Sequence, residues 1–162
     1  SKCDENDICF NVKPAIGNCF EGRHLIDREV NSCNAEINEG SFNDFDKDLQ
    51  CVEMDDNYSG TPQFPYNWLH TPESGDASFN LAVESKSLLL VYKDTGSMEF
   101  GKAEIYVDGN YFLTIDPKIV GWTHCNAVIL YQNDTVMKHQ VEIKMSEDSR
   151  DKYFTILGFG YN

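Results

Sequence analysis

Asp94-Thr95-Gly96-Ser97 follows the apolar run Leu88 to Tyr92, and a carboxylate in a tight turn after a buried strand is a setting used for acid-base hydrolysis. Hydrolysis of that kind needs two carboxylates close enough to share a proton. Ile156-Leu157-Gly158 could pose as the element cradling such a turn, but no second D-T-G exists and Lys93 stands where an apolar residue is needed. The plain reading is a polar β-turn with Gly96 supplying the positive φ. No G-x-S-x-G elbow is present, and Gly75-Asp76-Ala77-Ser78 does not supply the order of a serine hydrolase. His24, His70, His124 and His139 form no metal-binding pair at helical spacing. In Asp44-Phe45-Asp46-Lys47-Asp48 an EF-hand would need Gly sixth and Glu twelfth, where Leu49 and Asp55 stand. A solvated acidic loop is the default there, and another calcium arrangement drawn from Asp44, Asp46, Asp48, Asp55 or Asp56 stays open. The expectation is a chain that is not an enzyme and has no cofactor or assigned metal site.

Six cysteines, Cys3, Cys9, Cys19, Cys33, Cys51 and Cys125, are the next chemical signal. Four fall in the first 33 residues, where few strand-forming runs exist, which reads as disulfides pinning a segment that burial alone could not hold. Zinc is the weaker reading, since there is no C-x-x-C and the intervening gaps of five, nine and thirteen fit no common finger. An oxidising, extracellular setting follows as an expectation. The sequons at Asn57 and Asn133 add little, and the polar start Ser1-Lys2-Cys3-Asp4 reads as a mature or excised chain. The formal charge of −14 repels phosphate backbones and anionic lipid, and no apolar run approaches the ~20 residues of a membrane span. Neither nucleic acid nor membrane is an expected partner.

The elements that must position these residues read as antiparallel β. Leu88 to Tyr92 has the pattern of a strand buried on both faces, Phe79 to Glu84 alternates, and Asp108-Gly109 between Ala103–Val107 and Tyr111–Leu113 is a strong hairpin signal. Ala127 to Tyr131, then a polar turn at Gln132-Asn133-Asp134, then Val141 to Met145, and finally Tyr153 to Phe159 complete about eight strands in the last two thirds of the chain. Only a short helix near Gly22 to Asn31 interrupts this, where Leu25, Ile26 and Val30 share a face. Thr61 to His70 has two prolines and four large apolar side chains, so it must be ordered against something. The expected fold is all-β, an antiparallel β-sandwich of jelly-roll type, with a disulfide-rich extension over residues 1–37 packed on a binding domain over 38–162.

From about Gly40 to Tyr161 the chain resembles the non-catalytic β-sandwich modules found beside SGNH/GDSL esterases of anaerobic fibre-degrading microbes. The likeness is carried by Phe64 to His70, Leu88 to Asp94, Gly101 to Gly109, Gly121-Trp122, His139 to Met145 and Phe154 to Tyr161. It implies a sandwich in a secreted, plant-fibre-degrading system. The cysteine-rich start departs from the bacterial pattern and is similar to secreted proteins of anaerobic gut fungi, whose scaffoldins carry repeated cohesin-like domains that capture enzyme-borne dockerins. The resemblance therefore leaves two expectations. The first is a cellulosome-like docking module for a dockerin-type protein partner, with the acidic surface steering encounter. The alternative is a carbohydrate-binding module for plant polysaccharide, with aromatic faces stacking on sugar rings. Contact residues for either are Tyr66, Trp68, Tyr106 and Trp122, with Asp55 and Asp56 as an acidic rim.

Overall fold

Two long strands carry the architecture. In the computed structural model, which describes residues 24–48, 50 and 63–162, the chain forms eight strands: β1 (His24–Ile26), β2 (Glu36–Asn38), β3 (Trp68–His70), β4 (Phe79–Asp94), β5 (Ala103–Val107), β6 (Asn110–Ile115), β7 (His124–Met145) and β8 (Phe154–Tyr161). All strand pairings are antiparallel, and the described residues contain one short 3-10 turn at Glu147–Ser149 and no α-helix.

β4 serves both halves of the sheet. Its first half alternates: Phe79, Leu81 and Val83 are buried, while Asn80 and Glu84 are exposed. Here it lies between β2 and the end of β7, with β5 and β6 beyond. From Ser87 onward every residue of β4 is buried, and β8 replaces β2 as its neighbour. The changeover falls at Lys86, where the register jumps from Ser85↔Met137 to Ser87↔Gln132 and leaves Asn133 to Val136 unpaired on β7. Such a bulge bends a strand and increases its twist. It also switches parity, so the core-facing series 79, 81, 83 continues as 88, 90, 92.

The bend closes the core. Leu90 pairs with Phe159, and eleven residues of straight strand would put Phe79 roughly 36 Å from that pair. Yet the Phe79 and Phe159 rings stack at 5.7 Å, so the two halves of the sheet face each other. Trp68 sits edge-on to Phe79 at 5.1 Å, and Phe42 approaches Phe79 and Phe154 at 6.2 and 6.4 Å. Each of these fully buried rings contributes on the order of 2–3 kcal/mol by leaving water. Leu89, Val91 and Leu157 point the other way from β4 and β8 and are covered by Phe64, Ala127 and Ile129, which is why Leu88 to Tyr92 is buried on both faces.

Several expectations are corrected. The helix near residues 22–31 is absent over the described positions: Leu25 and Ile26 pair with β8, and Asp27 Oδ1 then accepts the N–H groups of Glu29 and Val30 at 2.8 and 2.7 Å to turn the chain. The polar turn expected at Gln132-Asn133-Asp134 is instead part of a bulge inside the continuous strand β7, facing Lys86 of β4. Of the eight strands, β1 and β2 come early, so six follow residue 60. Residue 37, where the extension is expected to end, lies in β2, which pairs with β4; most of the 1–37 segment is outside the described residues, so the division itself stays an expectation. Of the six cysteines, Cys125 is disulfide-bonded and Cys33 is a free thiol; Cys3, Cys9, Cys19 and Cys51 lie outside the described residues.

The proline-containing segment is held by side chains that imitate a backbone ladder. Asn67 accepts the Asp46 N–H (2.7 Å) and donates to the Asp46 and Phe64 carbonyls. Gln50 donates to the same two carbonyls and accepts the Phe64 N–H at 2.6 Å. Buried backbone groups that no strand could reach are satisfied in this way. The Asp46 carboxylate itself is taken by Lys93 Nζ (3.0 Å) and Thr155 Oγ1 (2.7 Å).

Candidate functional site

Two loops meet at one end of the fold, where β4 leaves the sheet and β7 enters it. Residues 95–102 follow β4, and residues 116–123 link β6 to β7. The Thr95 N–H donates to the Pro117 carbonyl at 2.7 Å, and the Thr95 and Thr123 hydroxyls lie 3.3 Å apart. Gly96 has φ +66, and a Cβ there would fall 2.4 Å from the Val120 carbonyl oxygen. Only glycine lets the loops approach so closely. The β-turn expected over residues 94–97 falls further on, where the Phe100 N–H donates to the Ser97 carbonyl at 3.2 Å, because Asp94 still belongs to β4; Gly96 keeps its positive φ and seats the loop that bears Trp122.

Three large apolar side chains project from these joined loops: Ile119 (78% exposed), Met98 (74%) and Trp122 (61%). The Trp122 and His124 rings lie 6.1 Å apart at 45°. His124 Nδ1 is 3.1 Å from the Trp122 carbonyl, while Nε2 lies 3.9 Å from Asp94 Oδ2. With Nδ1 against the Trp122 carbonyl and Nε2 turned toward Asp94, the imidazole braces the loop that bears Trp122.

Beneath the loops the environment is acidic and buried. Asp94 is 2% exposed, and its Oδ1 has no hydrogen-bond partner among the described residues. Burial raises its pKa, His124 offsets this in part, Asp116 adds to it, and the Val120 N–H and Asn126 amide pull it back down. Burial, followed by the charges of Asp94 and Asp116, pushes the Tyr92 hydroxyl up to about 12.

The other contact residues expected from the sequence are scattered. Trp68 is 1% exposed in the core, because β3 pairs with β8 and turns the indole inward against Phe79; it presents no face to a ligand. Tyr66 is exposed beside Glu29, whose hydrogen bond and charge raise its pKa. Tyr106 lies on the outer face of β5, donating to Glu104 Oε1 at 3.0 Å, with Lys144 Nζ 4.7 Å over its ring and Tyr111 edge-on at 5.8 Å. Asp55 and Asp56 lie outside the described residues. Only Trp122 belongs to the loop site. Asp94, Met98, Ile119 and His124 were missed as contact or supporting residues; the one sequence signal for them was the polar D-T-G-S turn, read as a turn alone.

No protein-family model matches this sequence, and no curated protein matches it. Among solved structures, the fold is similar to part of a two-domain esterase active on acetylated mannans, with a TM-score of 0.62, 18% identity, and coverage of 91% of this chain and 38% of the esterase. The same esterase co-crystallised with mannopentaose gives 0.61, 17%, 88% and 36%. This chain thus spans little more than a third of the length of those proteins. A family 35 carbohydrate binding module from an environmental isolate stands further off, at a TM-score of 0.45 and 12% identity, with 85% and 92% of the two chains covered. At these identities the likeness concerns the fold.

Proposed function

We propose that this chain is a non-catalytic module that binds plant cell-wall polysaccharide, and that the folded-over sheet is a sandwich of jelly-roll type serving as its scaffold. The observation that carries the reading is the exposed Trp122 indole on a loop that Gly96 and His124 hold in place. An indole held in this way covers the apolar face of a pyranose without losing much freedom on binding. Met98 and Ile119 add exposed apolar area on the same two joined loops. The esterase that shares the fold acts on acetylated mannans, which makes β-mannan the first polymer to try. An extracellular, fibre-degrading setting belongs to the same proposal, and the disulfide at Cys125 is in keeping with it.

The cohesin-like docking expectation has less behind it. Its acidic rim, Asp55 and Asp56, lies outside the described residues, and the structures that share the fold at a TM-score of 0.61–0.62 are of an esterase active on acetylated mannans.

Retention on insoluble mannan, xylan and cellulose tests the proposal. The wild-type chain is expected to be retained on at least one polymer, and Trp122→Ala to weaken that retention about tenfold, as loss of one stacking ring implies. Undiminished retention of Trp122→Ala, or no retention of wild type on any of the three, overturns it.

A further inference from the structure

We propose a second saccharide site on the outer face of the other half of the sheet, across β2, β4 and β7; the proposal rests on the polysaccharide-binding reading above. The register aligns Asn38 with Asn80 and Glu142 in one row, and Glu36 with Ala82 and Gln140 in the next. Alternation turns all six side chains away from the core, since Ile37, Leu81 and Val141 between them face inward. Ala82 has only a methyl group where its row neighbours have long side chains. The resulting groove is about 280 Å³; Glu36, Asn38, Asn80, Ala82 and Gln140 supply its outward side chains, and the inward-facing Ile37, Leu81 and Val141 complete its wall.

The chemistry of the lining selects the occupant. Three amides each offer donors and an acceptor, matching hydroxyls that both donate and accept. Asn38 accepts the Gly40 N–H at 3.1 Å and Asn80 donates to the Ser78 carbonyl at 3.3 Å, so both amides are oriented and keep capacity for further bonds. The Gln140 amide and the Glu142 carboxylate have no hydrogen bond among the described residues. Lys138 lies 3.5 Å from Glu36, which answers that cation, and Glu142 adds negative charge to the row of Asn38 and Asn80. A phosphate or uronate would be repelled, while a neutral sugar finds acceptors and donors in alternation. The site suits a short stretch of neutral polysaccharide, and Lys144 over Tyr106 closes the far side of Glu142. With Trp122 at the loop end of β7 and Gln140 near its other end, one polymer chain or two could be held at separate points, giving avidity on an insoluble surface that short soluble sugars would not show.

The test is titration of the ¹⁵N-labelled chain with mannopentaose, xylopentaose and cellopentaose, using wild type, Trp122→Ala, Ala82→Phe and the pair together. Ala82→Phe fills the groove from an outward position on a strand that tolerates aromatic residues. Asn80→Ala with Gln140→Ala serves as a second variant that removes hydrogen bonds without adding bulk. The expected result is two groups of shifts, one around 116–126 and one around 36–38, 80–82 and 140–142. Ala82→Phe and the double alanine variant each abolish the second group and lower the affinity left in Trp122→Ala by about tenfold or more. Loss of all binding in Trp122→Ala alone overturns the second site and leaves the Trp122 reading standing. Shifts confined to the groove sink the Trp122 reading and leave this one. Groove shifts that survive both groove variants overturn it, as does a groove that takes an oligolysine peptide and no sugar.

Discussion

His139 Nδ1 on β7 lies 2.6 Å from Asp108 Oδ2 in the β5–β6 turn, and its Nε2 lies 2.6 Å from the Asn133 side-chain amide at the bulge. A neutral imidazole protonated on Nδ1 satisfies both contacts, donating to Asp108 and accepting from Asn133. Tyr131 packs on the ring at 4.0 Å and bonds the Ser85 hydroxyl at 2.7 Å, so a connected set of side chains braces the place where the sheet folds over.

Asp108 should make the fold sensitive to acid. Burial works against its ionised form, but the Gln140 N–H at 2.9 Å and His139 outweigh that and hold its pKa below the usual value of about 3.9. A depressed folded-state pKa adds stability that is present above the unfolded value and lost as pH falls through the folded one. Asp108→Asn should therefore cost stability at pH 6 and progressively less below about pH 4. The loss should stay under about 1 kcal/mol, because the Asp108 side chain is 46% exposed and solvent screens the interaction. Urea midpoints across pH 3 to 7 measure this, and a difference that does not shrink in acid contradicts it.

Asp94 carries the opposite sign. Its raised pKa means that the folded state takes up a proton more readily than the unfolded chain, so its contribution worsens as pH rises from about 4 through the folded value. Asp94→Asn removes the buried charge and should raise stability by about 1 kcal/mol at pH 7 and by little at pH 4. Paired denaturation curves at the two pH values check the prediction; equal gains at both would refute the electrostatic account.

The pair Lys93 and Asp46, 3.0 Å apart and almost wholly buried, ties β4 to the loop before β3. Asp46→Ala strands the Lys93 ammonium and leaves Thr155 without its acceptor, and should cost about 3–5 kcal/mol. Asp46→Leu combined with Lys93→Met removes both charges and should cost clearly less than the sum of the two single changes. A double-mutant cycle on unfolding free energies reads that coupling, and strict additivity would show that the pair does not act as one unit.

Local signals were legible where the chain's own geometry decides. Asp108 and Gly109 have φ of +51 and +79, as a two-residue hairpin turn needs, and β5 and β6 close on it with Val107 opposite Asn110. The alternation of Val141, Ile143 and Met145 placed them in the core, and the unbroken apolar run Leu88 to Val91 is buried on both sides. The passage of β4 through Lys86 into the apolar run was legible, but the continuity of β7 was not. Gln132-Asn133-Asp134 has the composition of a turn, and nothing local distinguishes a turn from a bulge that keeps pairing while switching parity.

The sequence by itself determined the all-β class, the position of the tightest hairpin and most of the core, because these follow from side-chain alternation and from which residues tolerate positive φ. The roles of its two tryptophans were decided only by tertiary structure. Trp68 and Trp122 are chemically identical, but pairing of β3 with β8 turns one indole inward against Phe79, while Gly96 and His124 hold the other outward on a loop. The groove over Ala82 likewise exists only because strands distant in sequence set one methyl group between Glu36 and Gln140.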